Sequence, residues 1–348
     1  MSEDTLRKQE LIGGVSAKPK IVLVGAGRFG KNHLRVLKEL EDEGLCTLYG
    51  VVDKRTAILE NVKKTYGVST TSNLGDFLNS EADAVDVVTP SDTHFEICKE
   101  CLESDKHVLV EKPLTTCYAD ARKLVQLAAA RERILMVGHI FRYNPAVREI
   151  KELITSGELG KIYYMFGHYM GFKDPRAELG ALLNFAIHQI DIYDFLFDDI
   201  PEEVTCNTAH FLGRKEFEDF AITVLKYRAG ALGIIESSWL PPGNYRDLTI
   251  IGSKKSLSSD LAKQTIMVHD VHMEKQNDTL KAVDNGSLSV NVKYEEPLKL
   301  ELKDFVECVK TGRKPLANGQ VALRTIMIAE KALQSARLKR SVRIIESE

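Results

Sequence analysis

The stretch that decides the fold is KIVLVGAGRFGKNHLRVLKELE, residues 20–41. It opens with an apolar, β-branched run that is typical of a fully buried parallel strand. The run enters the pattern GAGRFG, and apolar positions 34, 37 and 40 then repeat at helical spacing. A strand, a GxGxxG turn and a helix in this order predict a dinucleotide-binding unit, in which backbone N–H groups at the start of the helix receive a pyrophosphate.

Strand-like and helix-like segments alternate outward from this unit. Four further strand candidates lie at residues 48–53, 84–89, 107–113 and 134–138, with helical patterns between them. Such alternation is the signature of a doubly wound parallel sheet that is covered by helices on both faces. We therefore expect an α/β dinucleotide-binding domain at residues 19–138, preceded by a polar N-terminal arm at residues 1–18.

Residues 139–348 follow a different pattern. Several strand candidates succeed one another, many joined by short glycine-bearing turns, and two helical segments come near the end. This order predicts a second, α+β domain with a large and mostly antiparallel open sheet. The polar stretch 274–292 is expected to be a mobile loop or a sheet edge.

Composition and charge exclude several classes of protein. The 348 residues are 44% hydrophobic and 28% charged, with a formal net charge of −3, so a disordered chain and a polyelectrolyte binder of nucleic acid are both disfavoured. No apolar run approaches the roughly 20 residues that a membrane span needs, and the first eighteen residues lack the apolar core of a secretory signal. We expect a cytoplasmic enzyme without a membrane or nucleic-acid partner. Dispersed histidines and cysteines give no indication of a metal site.

The glycine turn and the acidic residue after the second strand predict the cofactor. Gly25 permits the tight turn, Gly27 the close approach of a pyrophosphate, and Gly30 close helix packing. Asp53 comes 23 positions after Gly30, at the end of the second strand candidate, where it can bind an adenosine ribose and repel a 2′-phosphate. This favours NAD, although the cations next to Asp53 leave NADP open. The full set of predicted cofactor-binding residues is Gly25, Gly27, Arg28, Phe29, Gly30, Asp53, Lys54, Arg55, Thr89, Pro90, Ser91, His94, Glu111 and Lys112.

Six motifs in order along the chain carry a family resemblance: VGAGRFG, VVD, TPSDTH, HVLVEKPL, GHIFRYNPAV and ALLNFAIHQIDI. With them the sequence resembles the glucose–fructose oxidoreductase/inositol dehydrogenase (Gfo/Idh/MocA) family over nearly its whole length. The resemblance implies a Rossmann domain, a second domain for substrate binding and oligomerisation, and a homodimer or homotetramer built on the outer face of the open sheet. It also implies that Lys112, in the EKP motif, lies between nicotinamide and substrate, and that His188 faces it.

These two residues suit the oxidation of a secondary alcohol, which loses a hydride to nicotinamide and a proton to a base. A lysine serves as that base only when its pKa falls well below its usual value of about 10.4. One position departs from the family's inositol-dehydrogenase branch, which often has Asp four residues before the histidine, on the same helical face. Asn184 stands there, and an amide cannot relay a proton, so Lys112 is expected to carry more of the proton transfer.

The segment from Gly138 to Ile162 looks most like the UDP-N-acetylglucosamine 3-dehydrogenases of the family, which oxidise the C3 hydroxyl of the sugar. The predicted substrate-binding residues are Lys112, Arg142, Arg176, Asn184 and His188. Lys173 and Arg246 are further cations that could bind a pyrophosphate. Each of the four cations, Arg142, Lys173, Arg176 and Arg246, is equally typical of a solvated surface charge. A myo-inositol or other free-sugar dehydrogenase, a NAD-dependent glycosidase and a non-catalytic NAD sensor remain as alternatives.

Overall fold

A computed structural model of the protein describes residues 18–344, so the predicted arm lies, except for Lys18, outside the described residues. The described chain forms two compact units. Unit 1 contains the described chain up to Lys112 together with Arg122–Gly138 and Leu298–Gly319, and unit 2 contains the remainder. Within residues 18–344, no helix has both the length and the apolar character needed to cross a membrane.

Unit 1 is built on a parallel sheet of six strands in the order β3-β2-β1-β4-β5-β6. Its strands are β1 (Lys20–Val24), β2 (Thr47–Val52), β3 (Ser69–Thr71), β4 (Ala84–Val87), β5 (His107–Glu111) and β6 (Leu135–Gly138). The order reverses beside β1, between β1 and β4. In such sheets, ligands bind outside the carboxyl ends of the strands at this reversal.

The helices between these strands cover the sheet and bury its central strands from solvent. They are α1 (Gly30–Asp42), α2 (Thr56–Tyr66), α3 (Gly75–Leu78), α4 (His94–Glu103) and α5 (Tyr118–Ala130). Residues 21–23 of β1 and residues 108–110 of β5 are at most 1% exposed. Burial on both faces explains why these strands read as continuous apolar runs in the sequence.

The domain boundary differs from the expected division at residue 138 because two segments cross it. The segment Leu298–Gly319 belongs to unit 1 since Val137 donates its N–H to the carbonyl of Ala317 at 2.8 Å. Lys299 also forms ion pairs with two glutamates of the same unit, 3.2 Å from Glu39 and 2.7 Å from Glu43. Conversely, residues 113–121 belong to unit 2, in which the Tyr118 N–H donates to Glu330 at 2.7 Å.

Unit 2 contains a nine-stranded sheet in the order β14-β13-β12-β11-β7-β10-β9-β8-β15. All pairs are antiparallel except β7 with β10, which confirms a mostly antiparallel open sheet. Its strands are β7 (Ile162–Gly171), β8 (Glu203–Ala209), β9 (Phe220–Lys226), β10 (Leu232–Ser238), β11 (Asn244–Gly252), β12 (Ser256–Asp260), β13 (Thr265–Gln276), β14 (Thr279–Val290) and β15 (Val342–Arg343).

Helix α7 (Ile187–Phe197) packs on one face of this sheet, where two glycines make room for it. A Cβ at Gly167 would lie 2.7 Å from the amide nitrogen of Gln189, and one at Gly233 would lie 2.7 Å from the ring of Tyr193. Tyr193 also donates its hydroxyl to the carbonyl of Ile234 at 2.8 Å. A π-helical turn at Leu182–Ala186 leads into α7, and the remaining helices are α6 (Pro145–Thr155), α8 (Pro297–Thr311) and α9 (Gly319–Leu338).

Candidate active site

The glycine turn after β1 cannot accommodate side chains at its first and last glycines. Gly25 has a φ of +95°, and a Cβ on it would lie 2.3 Å from the carbonyl oxygen of Val88. A Cβ on Gly30 would lie 1.9 Å from the carbonyl oxygen of Gly25. At Gly27, by contrast, the nearest atom to a Cβ is the flexible Arg55 guanidinium at 3.3 Å, so a ligand can approach the backbone there.

Helix α1 starts directly after this turn and has no side-chain cap at its N-terminus. The first N–H groups of a helix have no partner within the helix, and the helix dipole favours an anion beside them. The turn and the helix start therefore fit the pyrophosphate of a dinucleotide, with Arg28 and Phe29 exposed beside it.

Asp53 follows β2 and lies beside the glycine turn. It is 6% exposed, and its carboxylate accepts the N–H of Ala26 at 2.9 Å. The guanidinium of Arg55 donates to both oxygens, at 2.9 and 2.8 Å. Burial opposes the charge on Asp53, but these hydrogen bonds together with that of the Arg55 N–H outweigh it and lower the pKa of the carboxyl. An ionised acceptor is thus held where a ribose hydroxyl is expected, whereas Lys54 is simply exposed.

The loop after β4 lies against the same turn through the contact between Val88 and Gly25. It is folded by its own hydrogen bonds, because Thr93 donates to the hydroxyl of Thr89 at 2.7 Å and the His94 ring lies 3.0 Å from the Thr89 carbonyl. The Ser91 hydroxyl is 2% exposed and lacks a hydrogen-bond partner among residues 18–344. An orphaned buried hydroxyl in this loop fits a bound polar ligand.

Glu111 and Lys112 close this edge of the sheet at the end of β5. The side chain of Glu111 is 13% exposed, and Gly138 at the end of β6 makes room for it, because a Cβ there would lie 2.6 Å from the carboxylate. Lys112 follows at once and is half-buried. Because carboxyl ends of parallel strands meet at one edge, unit 1 brings the predicted cofactor residues together there.

In unit 2, His188 belongs to a group of five rings. It is 7% exposed, stacks on Tyr169 with ring centroids 4.5 Å apart, and meets Phe141 edge-on at 5.4 Å. Phe185 lies 5.7 Å from Tyr169 and 4.4 Å from Trp239. These five residues, Phe141, Tyr169, Phe185, His188 and Trp239, are called the aromatic cluster below.

Two of the predicted cations lie on this aromatic cluster. Arg246 donates from Nε to the hydroxyl of Tyr169 at 3.1 Å, and its guanidinium lies 5.1 Å from the ring centroid. The ammonium of Lys173 lies 4.3 Å from the centroid of Phe185 and 5.9 Å from that of Trp239. Arg176 is exposed and lies 3.4 Å from Glu178.

Arg142 has a different environment from the one that a pyrophosphate ligand requires. It is 4% exposed, and its guanidinium donates to Asp191 at 2.7 Å and also to Asp194. Arg324 binds Asp194 from the other side with two bonds of 2.9 Å. Charged groups this deep must be paired to be tolerated, so this network accounts for Arg142 without a substrate. We propose no substrate role for it.

The helix that carries Asn184 and His188 is not a regular α-helix between them. Asn184 lies in the π-helical turn, which has a wider turn than an α-helix, so the two side chains are not aligned by the i, i+4 spacing that the sequence suggested. Glu218 caps this turn by accepting the Leu182 N–H at 2.8 Å. π-turns within helices occur frequently at functional sites.

Two buried residues of unit 1 were missed by the sequence analysis. His33 in α1 and Asp86 in β4 are both 0% exposed, and their side chains lie 2.8 Å apart. The available signals were an acid within the apolar run AVDVV and a histidine one turn after the glycine pattern. Within the described part of the chain, no group of three or more His, Cys, Asp or Glu side chains could hold a metal ion.

Comparison with known proteins matches both parts of the chain to one family. The profile of the GFO_IDH_MocA oxidoreductase family, with an NAD-binding Rossmann fold, matches residues 19–139, and that of the GFO/IDH/MocA C-terminal domain matches residues 147–258. Unit 1 is thus an NAD-binding Rossmann domain.

Individual relatives extend over most of the chain. It is 27% identical over 345 residues to the Myo-inositol 2-dehydrogenase of Thermotoga maritima, covering 94% of this chain and 99% of that protein. The scyllo-inositol 2-dehydrogenase (NAD(+)) of Bacillus subtilis is 27% identical over 272 residues, which are 73% of this chain and 75% of that one. The structure of the WlbA dehydrogenase from Bordetella pertussis, in complex with NADH and UDP-GlcNAcA, superposes with a TM-score of 0.82 at 23% identity, covering 96% and 100% of the two chains.

The two profiles occur in order along the chain, and the first covers the turn whose geometry fits a dinucleotide. Dehydrogenases are among the relatives that align over nearly the full length. The protein therefore belongs to the Gfo/Idh/MocA family and is an NAD(P)-dependent oxidoreductase.

Proposed function

We propose that the protein oxidises a secondary ring hydroxyl of a sugar nucleotide, such as the C3 hydroxyl of UDP-N-acetylglucosamine, to a ketone. The observation that carries this proposal is the pair of cations, Lys173 and Arg246, lying on the aromatic cluster that contains His188. A free polyol has no charge that would need them, whereas a nucleotide-linked sugar brings a pyrophosphate.

Lys112 and His188 are proposed to handle the hydroxyl proton, as the family resemblance implies. When bound, NAD supplies the acceptor for the hydride. Lys112 follows the strand whose end lies at the cofactor edge of unit 1 and is the proposed base. His188 is held by ring stacking on Tyr169, so its orientation is fixed before a substrate arrives. Asn184 offers an amide for hydrogen bonding to the sugar but no proton to exchange.

The aromatic cluster suits a sugar ring. Aromatic faces pack against the apolar C–H face of a sugar, and its hydroxyls need polar partners at the rim. Trp239 is 2% exposed, and its indole N–H lacks a hydrogen-bond partner among residues 18–344, so one such donor is available. Arg176 is retained as a substrate-binding proposal because it is exposed and cationic.

A second candidate substrate is a free inositol. It is favoured by the two inositol dehydrogenases that align with this chain at 27% identity. Against it stand Asn184, where that branch often has Asp, and the two cations for which inositol has no use. The two candidates share the same hydride chemistry and differ only in how the substrate is anchored.

The test is the absorbance of reduced nicotinamide after purified protein and NAD are mixed with UDP-N-acetylglucosamine, with myo-inositol in parallel. We expect an increase with the UDP-sugar and a product lighter by two hydrogens. An increase with inositol alone would replace the sugar-nucleotide proposal by the polyol one. Release of free sugar without net reduced cofactor would identify a NAD-dependent glycosidase.

We also propose that the protein is a homodimer or homotetramer joined through the outer face of the unit 2 sheet. On this face, residues of β7, β9, β10 and β11 that point away from α7 are only partly buried, and several are large and apolar. They are Tyr164, Phe166, Ile222, Val224, Ile234 and Ile251. Contiguous exposed apolar patches of this kind mark association surfaces.

A further inference from the structure

A buried histidine links the cofactor-binding helix to the strand that carries the proposed base. His33 lies in the first turn of α1, and its Nδ1 is 2.8 Å from a carboxylate oxygen of Asp86 in β4. Its Nε2 lies 3.3 Å from a carboxylate oxygen of Glu111 at the end of β5. The second contact lacks the geometry of a directional hydrogen bond, so it acts through charge. All three residues belong to unit 1.

The two carboxylates determine the charge of His33. A neutral imidazole has one N–H, so its other nitrogen would direct a lone pair at a carboxylate, whereas an imidazolium directs an N–H at each. Burial opposes this charge, but Asp86, and to a smaller extent Glu111, outweigh it and raise the pKa of His33 to about 10. Burial likewise raises the pKa of Asp86, and His33 counteracts it, so each charge depends on the other.

The position of His33 in α1 does not by itself favour a positively charged side chain. The N-terminal end of α1 carries the positive end of the helix dipole, which disfavours a charged histidine in the first turn. The carboxylates must therefore compensate both the dipole and the loss of solvent. Replacing a buried charge network by apolar residues is often neutral or stabilising, so stability alone does not account for this arrangement.

Glu111 lies between the charged His33 and the proposed base, Lys112. Burial raises the pKa of Glu111, but the positive charge of His33, helped by the nearby charges of Lys112 and His94, outweighs that effect and lowers it. The carboxylate is confined between the His33 ring and Gly138, where a Cβ would lie 2.6 Å from it. Its location is thus fixed on both sides, and Lys112 is the next residue in the chain.

We propose that His33 is a positioning residue of the hydride-transfer site, which holds the Glu111 carboxylate in place and thereby sets the negative charge that faces Lys112. Asp86 keeps His33 charged and oriented. The proposal rests on the role of Lys112 as the base. The ionisable groups around this carboxylate are His33 from α1, Asp86 from β4, Lys112 from the end of β5 and His94 from α4.

The first experiment uses the protein without cofactor. Nitrogen–proton NMR of the histidine side chains reports whether one or both ring nitrogens carry a proton. We expect His33, identified by the signal lost in His33→Gln, to have both nitrogens protonated at pH 8. A single neutral tautomer at pH 8 would overturn the proposal. This measurement is made on the wild-type protein and requires no activity, and the variant serves only to assign the His33 signals.

The second experiment measures the pH dependence of kcat in Glu111→Gln, with saturating NAD and the substrate identified above. Removing the negative charge makes the Lys112 ammonium release its proton more readily, so the acidic limb of the oxidation rate should move to lower pH. His107→Gln is the matched control, since His107 is a half-buried histidine of the same unit at the opposite end of β5. Its pH dependence should stay that of the wild type.

A double-mutant cycle then tests whether His33 acts through Glu111. We expect His33→Gln alone to lower kcat about ten-fold or more, with the KM for NAD nearly unchanged, and to add little in the Glu111→Gln background. Equal losses in both backgrounds, or an unmoved acidic limb in Glu111→Gln, would reject the positioning role. Turnover that survives in Lys112→Met would instead reject the proposed base, so the two failures are distinguishable.

Discussion

Lys112 is the residue on which the proposed chemistry depends most directly. Replacing it in Lys112→Met keeps the length of the side chain and removes the base, so NAD binding should remain near wild type while kcat falls about a thousand-fold. Calorimetric titration with NAD and steady-state rates measure the two effects. Lys63→Met, at an exposed position in α2, is the control. A near-normal kcat in Lys112→Met would remove the lysine from the mechanism.

Asp53 and Arg55 determine which dinucleotide is preferred. In Asp53→Ser the ribose loses its charged acceptor, and Arg55 loses the carboxylate that now holds both its donors. We expect the KM for NAD to rise about ten-fold, or about 1.4 kcal/mol, and the KM for NADP to fall. The KM ratio of the two cofactors is the measurement, with Glu60→Ser as the exposed control. An unchanged ratio would contradict this assignment.

Two histidines of unit 1, the buried His33 and the half-buried His107, should give opposite pH dependences of stability. The pKa of His33 is raised to about 10, so its stabilisation is complete below pH 6.5 and is lost as pH rises towards 10. Burial, with a contribution from Arg133, lowers the pKa of His107 to about 4, so its stabilisation is lost as pH falls from 6.5 to 4. Denaturant titrations of His33→Asn and His107→Asn against wild type should show these opposite slopes.

At the scale of elements, the π-helical turn before α7 depends on the fit between Gly180 and Glu218. A Cβ at Gly180 would lie 2.2 Å from both carboxylate oxygens of Glu218. Gly180→Ala should therefore displace the carboxylate that caps the turn, lower the free energy of unfolding by about 1–3 kcal/mol, and reduce kcat through misplacement of Asn184 and His188. Thermal unfolding and turnover should both change.

Gly75→Ala is the matched control for this substitution. Gly75 lies in the short helix α3, where the nearest atom to a Cβ is the Asn73 side chain at 3.4 Å, an ordinary contact. This variant should keep wild-type stability and turnover. If Gly180→Ala behaves in the same way, Glu218 does not position the turn.

The hairpin of β13 and β14 contains a strand that has no apolar alternation in its sequence. Residues 274–292 are polar and were expected to be a mobile loop or a sheet edge, and they form the whole of the edge strand β14 and the end of β13, which confirms the second alternative. Most residues of β14 are exposed on both faces. Without a buried face there is no alternation for the sequence to display, so the pairing with β13 alone defines the strand.

At the scale of the whole molecule, the outer face of the unit 2 sheet should decide the oligomeric state. A charge in the middle of that apolar face cannot be buried against a second copy without a partner. Ile234→Glu should therefore shift the protein towards monomers while NAD binding is retained. Sedimentation velocity measures the change, and Tyr294→Glu, at an exposed residue outside the sheet, is the control. A wild-type protein that sediments as a monomer would refute the proposed interface.

The sequence by itself determined those features of the protein that depend on residues close together in the chain. The apolar period of β1, the glycine turn and the helix after it predicted the Rossmann domain, because backbone geometry there depends on neighbouring residues alone. The site of Asp53 followed from the same local order. The type of residue and its place in one strand–turn–helix unit are sufficient to predict these features.

Only the tertiary structure decided which distant side chains meet. The burial of Arg142 against Asp191 and Asp194 and the contact of His33 with Asp86 join residues about fifty positions apart. Likewise, the segment Leu298–Gly319 returns to unit 1 across the expected boundary. The energy of a charge depends on what surrounds it after folding, and no local pattern records that surrounding.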